Sequence, residues 1–207
     1  MVTSLWSDVS IVQFMVFTML FCTKTLNKVL IFLLLFGHFV ALFTMSGGSL
    51  IEEGCSKQLR VSVRISGTDI KCGDKYPLSK VGNPEQPEFS FSAADEDSMY
   101  VLTMIDPDAP SNANPKFRSW LHFMAVNVKG KDLKDGNIPG HAIVMEYHPP
   151  GPPKGSGFHR YITLALKQSK QLEGISFQER KSFDIDTFVH ANSLTAEGSN
   201  MFETERK

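Results

Sequence analysis

Apolar and polar residues alternate in two stretches after residue 58, a period-two pattern that is typical of β-strands. Residues 59–65 place apolar side chains at every second position, which predicts a strand with one solvated face. Residues 89–91 repeat the alternation briefly. Four longer runs are apolar, β-branched or aromatic and are bounded by proline and glycine, which predicts central strands at residues 99–105, 120–128, 141–147 and 160–166.

The connections between these strands indicate how they are arranged. Segments such as residues 129–140 and 149–157 are rich in turn-forming residues and too short for crossover helices, so the pairing should be largely antiparallel. Residues 182–192 space their apolar side chains at helical intervals and carry two aspartates in the first turn. We therefore predict an all-β fold, a β-sandwich of two antiparallel sheets or an open barrel, with a short C-terminal helix.

The first 48 residues have a different composition. Between residues 9 and 51 the only charged side chains are Lys24 and Lys28, and residues 29–45 form an apolar run of 17 residues. That length is short for a membrane span and suits the apolar region of a signal peptide, with Ser46 and Gly48 before the cleavage point. We predict that residues 1–48 are a secretory signal peptide with an apolar extension, and that residues 49–207 are one exported domain. An uncleaved membrane anchor is the alternative.

Charge and cysteine content narrow the classes of function. The 207 residues include 21 Lys and Arg against 22 Asp and Glu, so no basic excess exists to bind a nucleic-acid backbone. Outside the leader, two cysteines remain, Cys55 and Cys72, which lie 17 residues apart and flank a predicted strand. They are compatible either with one disulfide or with two buried thiols. We expect a monomer that needs no cofactor.

Two motifs place polar side chains at the ends of predicted strands. Asp106 and Asp108 lie in the sequence Asp-Pro-Asp-Ala-Pro-Ser, in which the prolines restrict the backbone and hold both carboxylates in place. A structural turn is the alternative for this motif. Trp120 and His122 are two residues apart on one strand and should share a face, whereas the two residues that flank His122 should face the opposite layer.

A third motif is a loop stiffened by proline and glycine, residues 147–161. It ends in His159, Arg160 and Tyr161, of which the first and third should share one face of a strand while Arg160 points away. The loop glycines, Gly151 among them, allow the backbone to approach a ligand closely. If the three strand ends converge, imidazoles, a phenol, carboxylates and backbone N–H groups would form a cradle for a phosphate or another small anion.

The three motifs together resemble the phosphatidylethanolamine-binding protein family. They occur in the family's order and spacing at residues 106–111, 118–123 and 151–161, and the likeness extends from about residue 59 to residue 202. The resemblance implies a β-sandwich with a small pocket for phosphate or a phosphoethanolamine headgroup, in a protein that is not an enzyme. By motif, the ligand-binding residues would be Asp106, Asp108 at the rim, Trp120, His122, Gly151, Pro152, His159 and Tyr161.

The same resemblance suggests partners as well as ligands. Family members act as modulators of signalling pathways, and some are serine-protease inhibitors. We therefore predict non-catalytic binding of a phosphate-bearing small ligand or phospholipid headgroup by a secreted protein, with a protease or signalling protein as a further partner. Where many animal members have Tyr-Arg-Glu-Trp-His-His, this chain has Phe-Arg-Ser-Trp-Leu-His at residues 117–122, so its selectivity should differ at the pocket edge.

Other functions remain as alternatives. Asp106, Asp108, His122 and His159 could together bind zinc or manganese in a metal-dependent hydrolase. The chain could instead be a purely protein–protein interaction module. Ser156 lies in Gly-Ser-Gly without the Gly-x-Ser-x-Gly spacing, so serine catalysis is not predicted. Because histidine ordinarily gains charge below a pH of about 6.5, we expect acidification to tighten phosphate binding through the two imidazoles.

Overall fold

The computed structural model describes residues 49–50, 54–55 and 59–207; the predicted leader at residues 1–48 lies outside this part. The strands are β1 (Leu59–Arg60), β2 (Ser62–Ile65), β3 (Thr68–Asp69), β4 (Glu88–Ser90), β5 (Met99–Asp106), β6 (Trp120–Lys129), β7 (Ile143–Met145), β8 (His159–Lys167) and β9 (Thr195–Thr204). The helices are α1 (Leu78–Val81), α2 (Gly130–Lys134), α3 (Ile185–Ala191) and a 3-10 turn at Gly140–Ala142.

The described strands form one large and one small sheet. The large sheet has the order β1-β9-β8-β5-β6-β7, and the small sheet has the order β3-β2-β4. β1 pairs with β9 in parallel, so the large sheet is mixed and the prediction of two antiparallel sheets is wrong at this edge. The alternating run at residues 59–65 is divided between the sheets: β1 joins the large one, β2 joins the small one, and the chain crosses at Val61.

Apolar layers cover both faces of the large sheet. One layer lies between the two sheets and includes Phe89, Phe123 and Phe202, and the other lies beneath α3 and includes Leu121 and Ile185. Strands buried on both faces need apolar side chains at almost every position. This explains why β5, β6 and β8 are near-continuous apolar runs in the sequence.

The predicted helix forms, but it does not end the domain. α3 begins after Asp184, whose side chain caps the helix by accepting a hydrogen bond of 2.9 Å from the Thr187 N–H. The chain then continues into β9, which lies between β1 and β8 in the large sheet. The described helices are all short, and none has the length and apolar character required to cross a bilayer.

A disulfide joins Cys55 to Cys72, with 5.8 Å between their Cα atoms. The next residue, Gly73, donates a backbone hydrogen bond of 2.7 Å to the Met201 carbonyl, which ties this segment to β9.

The disulfide between Cys55 and Cys72 closes a loop, and closing a loop of this length stabilises the folded state by about 3 kcal/mol because it restricts the unfolded chain. We expect Cys72→Ser to lower the free energy of unfolding by about that amount in urea denaturation.

Reduction of the unmodified protein provides the control for this prediction. Dithiothreitol should destabilise the wild type by a similar amount and should leave Cys72→Ser unchanged. Equal stability of oxidised wild type and variant would contradict a stabilising role for the disulfide.

Candidate functional site

The centre of the site is a buried pair of side chains at the facing ends of β5 and β8. β5 ends with Asp106 and β8 begins with His159, and antiparallel pairing brings these ends together. The Nδ1 atom of His159 lies 2.8 Å from the Oδ2 atom of Asp106, and the two residues are 1% and 4% exposed. Burial raises the pKa of Asp106, and the contact with His159 only partly offsets that effect.

Ser156 extends this pair into the glycine-rich loop. Its Oγ atom lies 2.9 Å from the Nε2 atom of His159 and 2.7 Å from the Pro153 carbonyl oxygen. A hydroxyl has a single proton, so both contacts are made together when Nε2–H donates to Ser156 and Ser156 donates to Pro153. This arrangement fastens the loop to the histidine, a role that the sequence did not reveal.

Asp108 holds Asp106 and Arg160 in place through hydrogen bonds. Its carboxylate accepts hydrogen bonds of 2.8–2.9 Å from the side chain and backbone N–H of Arg160, and its own N–H donates to Asp106 over 2.7 Å. Burial raises the pKa of Asp108, but the hydrogen bonds and charge of Arg160 outweigh this and hold it below its ordinary value. Since Asp108 is fully buried and engaged with Arg160, it supports Asp106 and does not line the pocket.

A β-bulge directs His122 towards the same cluster. The pairing of β6 with β5 skips one residue between Leu121 and Phe123, so His122 is the extra residue. The bulge interrupts the alternation and places Leu121 and Phe123 in different apolar layers, so the prediction that they share a face is wrong. The ring of His122 instead packs edge-on against Tyr161, with 5.1 Å between the ring centroids.

His122 is held in its neutral form. Its Nδ1–H donates to the His148 carbonyl oxygen over 2.6 Å, which leaves Nε2 as an acceptor. Burial lowers the pKa of His122 to about 3 despite this hydrogen bond, and the nearby charge of Arg180 acts in the same direction. The expectation that this imidazole gains charge below pH 6.5 is therefore wrong.

Aromatic rings form the remaining wall. His148 lies 5.8 Å from His122 and 6.2 Å from the half-buried Trp120, measured between ring centroids. Burial raises the pKa of Tyr161 well above its ordinary range, so its hydroxyl is a proton donor. The hydroxyl of Tyr147 is buried without a hydrogen-bond partner among the described residues. Tyr147 and His148 were not among the predicted site residues, although both lie in the third motif. Their position directly before a run of prolines was the sequence feature that could have indicated them.

The structure brings most of the predicted residues together. Asp106, His122, His159 and Tyr161 are at most 4% exposed and form a closely packed cluster. Trp120 lies at its edge, and Gly151 and Pro152 belong to the loop beside it. Two cavities of about 460 and 510 Å³ are lined by other residues.

The alternative metal site is not assembled. No group of three or more histidine, cysteine, aspartate or glutamate side chains within the described ranges is arranged to hold a metal ion. Asp108 is paired with Arg160, and among the four proposed ligands the contact between Asp106 and His159 is the one that joins two side chains in the described part of the chain.

Comparison with known proteins gives a family match. The family model described as "Phosphatidylethanolamine-binding protein" matches residues 62–201. The "Putative odorant-binding protein A5" of Drosophila melanogaster is 44% identical over 124 residues, which cover 60% of this chain and 54% of that protein. The chain therefore spans about half the length of this relative.

Solved structures share the fold. A carboxypeptidase Y inhibitor, determined in complex with its cognate proteinase, superposes with a TM-score of 0.60 at 24% identity, covering 73% of this chain and 85% of the inhibitor. The phosphatidylethanolamine-binding protein of Plasmodium vivax gives a TM-score of 0.59 at 24% identity, with 72% and 87% covered. At these identities the likeness concerns the fold.

Proposed function

Because the chain belongs to the phosphatidylethanolamine-binding protein family, we propose that it is a non-catalytic binder of a phosphate-bearing small ligand or phospholipid headgroup. The observation that carries the proposal is the convergence of Asp106, His159, His122 and Tyr161 from three strands into one cluster. Phosphoethanolamine is the headgroup that we expect to bind there.

The hydrogen-bonding groups of the cluster suit a ligand with both acceptors and donors. The Tyr161 hydroxyl is a donor for a phosphate oxygen, and the neutral His122 ring offers Nε2 as an acceptor. The partly exposed face of Trp120 at the rim suits an ammonium group, since a cation is attracted to an indole face. A zwitterionic headgroup matches these groups better than a bare anion does.

The absence of catalysis is part of the proposal. The hydroxyl of Ser156, which lies 2.9 Å from the Nε2 atom of His159, contacts the Pro153 carbonyl at 2.7 Å, which directs its proton away from the histidine. Asp108, the second carboxylate of the motif, is neutralised by Arg160. The cluster therefore lacks a serine nucleophile whose proton is directed at a base, and it is better suited to holding a ligand than to transforming it.

We also propose export and an extracellular site of action. The apolar leader at residues 1–48 and the disulfide between Cys55 and Cys72 both favour an oxidising compartment. Lipid or small-ligand capture, or protease inhibition, fits this location better than regulation of a cytosolic kinase. The name of the Drosophila relative agrees with small-ligand capture, and the name of the carboxypeptidase Y inhibitor, which shares the fold, agrees with protease inhibition.

Calorimetric titration with phosphoethanolamine tests the binding site. Tyr161→Phe removes only the hydroxyl, and we expect about a tenfold loss of affinity, equivalent to about 1.4 kcal/mol. The matched control is Tyr100→Phe, because the Tyr100 hydroxyl bonds to Glu197 at the opposite end of β5. The proposal fails if the wild type does not bind phosphoethanolamine, or if both tyrosine variants bind it equally well.

A further inference from the structure

A ligand-sized cavity lies beside the cluster of Asp106, His122, His159 and Tyr161, which we call the headgroup cluster. The cavity of about 460 Å³ is walled by Tyr76, Pro77, Leu78 and Phe158, and its charged lining residues are Lys75, Glu205, Arg206 and Lys207. This volume is within the range of small-molecule sites, which typically combine apolar walls with a few polar groups. None of its lining residues belongs to the headgroup cluster. We propose that this cleft binds an aliphatic anion, with the chain against the apolar wall and the negative end at Arg206.

The charges at the opening select a negative group. Lys75 lies 3.5 Å from Glu203 and also stands over the Phe158 ring, 4.1 Å from its centroid. Lys207 lies 3.7 Å from Glu205. The Arg206 guanidinium has neither an ion pair nor a hydrogen bond among the described residues, so it is the one rim cation without a counter-charge there. A planar guanidinium binds a carboxylate through two parallel hydrogen bonds.

The walls are held in place without a ligand. The Tyr76 N–H donates to the Glu203 carbonyl over 2.9 Å, and the Tyr76 ring packs edge-on against Phe202 at 6.1 Å. The Arg206 carbonyl accepts a hydrogen bond of 3.1 Å from the Gly155 N–H. A cleft fixed in this way loses little conformational freedom on binding, which favours affinity.

The cleft and the headgroup cluster are neighbours that recognise different chemistry. Phe158 directly precedes His159, and an Arg206 nitrogen lies 3.9 Å from the position that a Cβ atom on Gly151 would occupy. The headgroup cluster is buried and offers neutral donors and acceptors, whereas the cleft is open, apolar and positively charged at one side. Occupation of the cleft does not depend on the proposed headgroup function.

The test uses the purified full domain with decanoate, decan-1-ol and acetate in isothermal titration calorimetry. Decanoate should bind, acetate should not bind measurably, and decan-1-ol should bind more weakly than decanoate. Arg206→Gln should weaken decanoate binding about five- to tenfold and leave decan-1-ol binding unchanged. Leu78→Asp, which places a charge on the apolar wall, should weaken both. The exposed Lys170→Gln is the matched control, because it removes a positive charge far from the cleft.

Competition separates this proposal from the headgroup site. Saturating phosphoethanolamine should not displace decanoate, and decanoate binding should persist even if phosphoethanolamine fails to bind. The proposal is overturned if decanoate does not bind, if Arg206→Gln and Lys170→Gln behave alike, or if phosphoethanolamine displaces decanoate.

Discussion

Acidification from pH 6.5 to pH 4 is expected to lower the free energy of unfolding by about 3 kcal/mol through His122 alone. The fold holds the pKa of this buried ring at about 3, whereas the unfolded chain gives histidine a pKa of about 6.5. Below pH 6.5 the unfolded state therefore binds a proton that the folded state does not. The stability contribution is complete above pH 6.5 and falls by about 1.4 kcal/mol per pH unit until the pH approaches 3.

A histidine variant isolates this effect from the other titrating groups. In His122→Asn the amide can still donate to the His148 carbonyl, but it does not titrate in this range. Urea denaturation at pH 7, 5.5 and 4 should show a much flatter pH dependence for this variant than for the wild type. His141→Asn, at an exposed position, should keep the wild-type slope. Parallel slopes for all three proteins would refute the role of His122.

Removal of the Asp108 carboxylate is expected to destabilise the protein by about 3–5 kcal/mol, the usual cost of breaking a buried ion pair from one side. Asp108→Ala removes the buried carboxylate that pairs with the Arg160 guanidinium, which is only 22% exposed. It also removes the acceptor of the Arg160 backbone N–H. The measurement is the free energy of unfolding at pH 7, where the lowered pKa of Asp108 keeps the carboxylate ionised.

Two further measurements define this second prediction. The exposed Asp97→Ala serves as a control and should change stability by less than about 0.5 kcal/mol. The wild type should lose the contribution of Asp108 as the pH falls below about 3.9, the ordinary aspartate value, because protonation removes the ion pair. A loss of less than about 1 kcal/mol in Asp108→Ala would show that Arg160 does not depend on this carboxylate.

The sequence predicts three of the four central strands well because their burial on both faces leaves a strong apolar signal. The fourth, predicted at residues 141–147, forms only the short edge strand β7 after a 3-10 turn. β5, β6 and β8 lie within one or two residues of their predicted bounds. β9 was missed, since Ser199, Asn200 and Thr204 are buried without being apolar. The Asn200 amide donates to the carbonyls of Val61 and Ile70 and so connects β9 to the neighbouring segments, a tertiary contact that no local pattern encodes.

Most residues of the site could be predicted from the sequence, but their protonation states and the contacts that position them could not. Motifs identify Asp106, His122 and His159, yet the neutral state of His122 depends on its burial and on a carbonyl from the following loop. The bulge that directs this ring arises from pairing between β5 and β6. Likewise, the bond between Asp108 and Arg160 spans 52 positions in the sequence and becomes visible only in the folded chain.

The position of β9 has a consequence for how the protein would be degraded. The N-terminal strand β1 attaches to the large sheet only through β9, and the disulfide-linked segment meets β9 at Met201. An exopeptidase that trimmed β9 from the carboxyl end would therefore detach the amino-terminal edge as well. The uncut backbone would keep that edge joined to the rest of the chain, so trimming at one terminus would yield a loosened but undivided molecule.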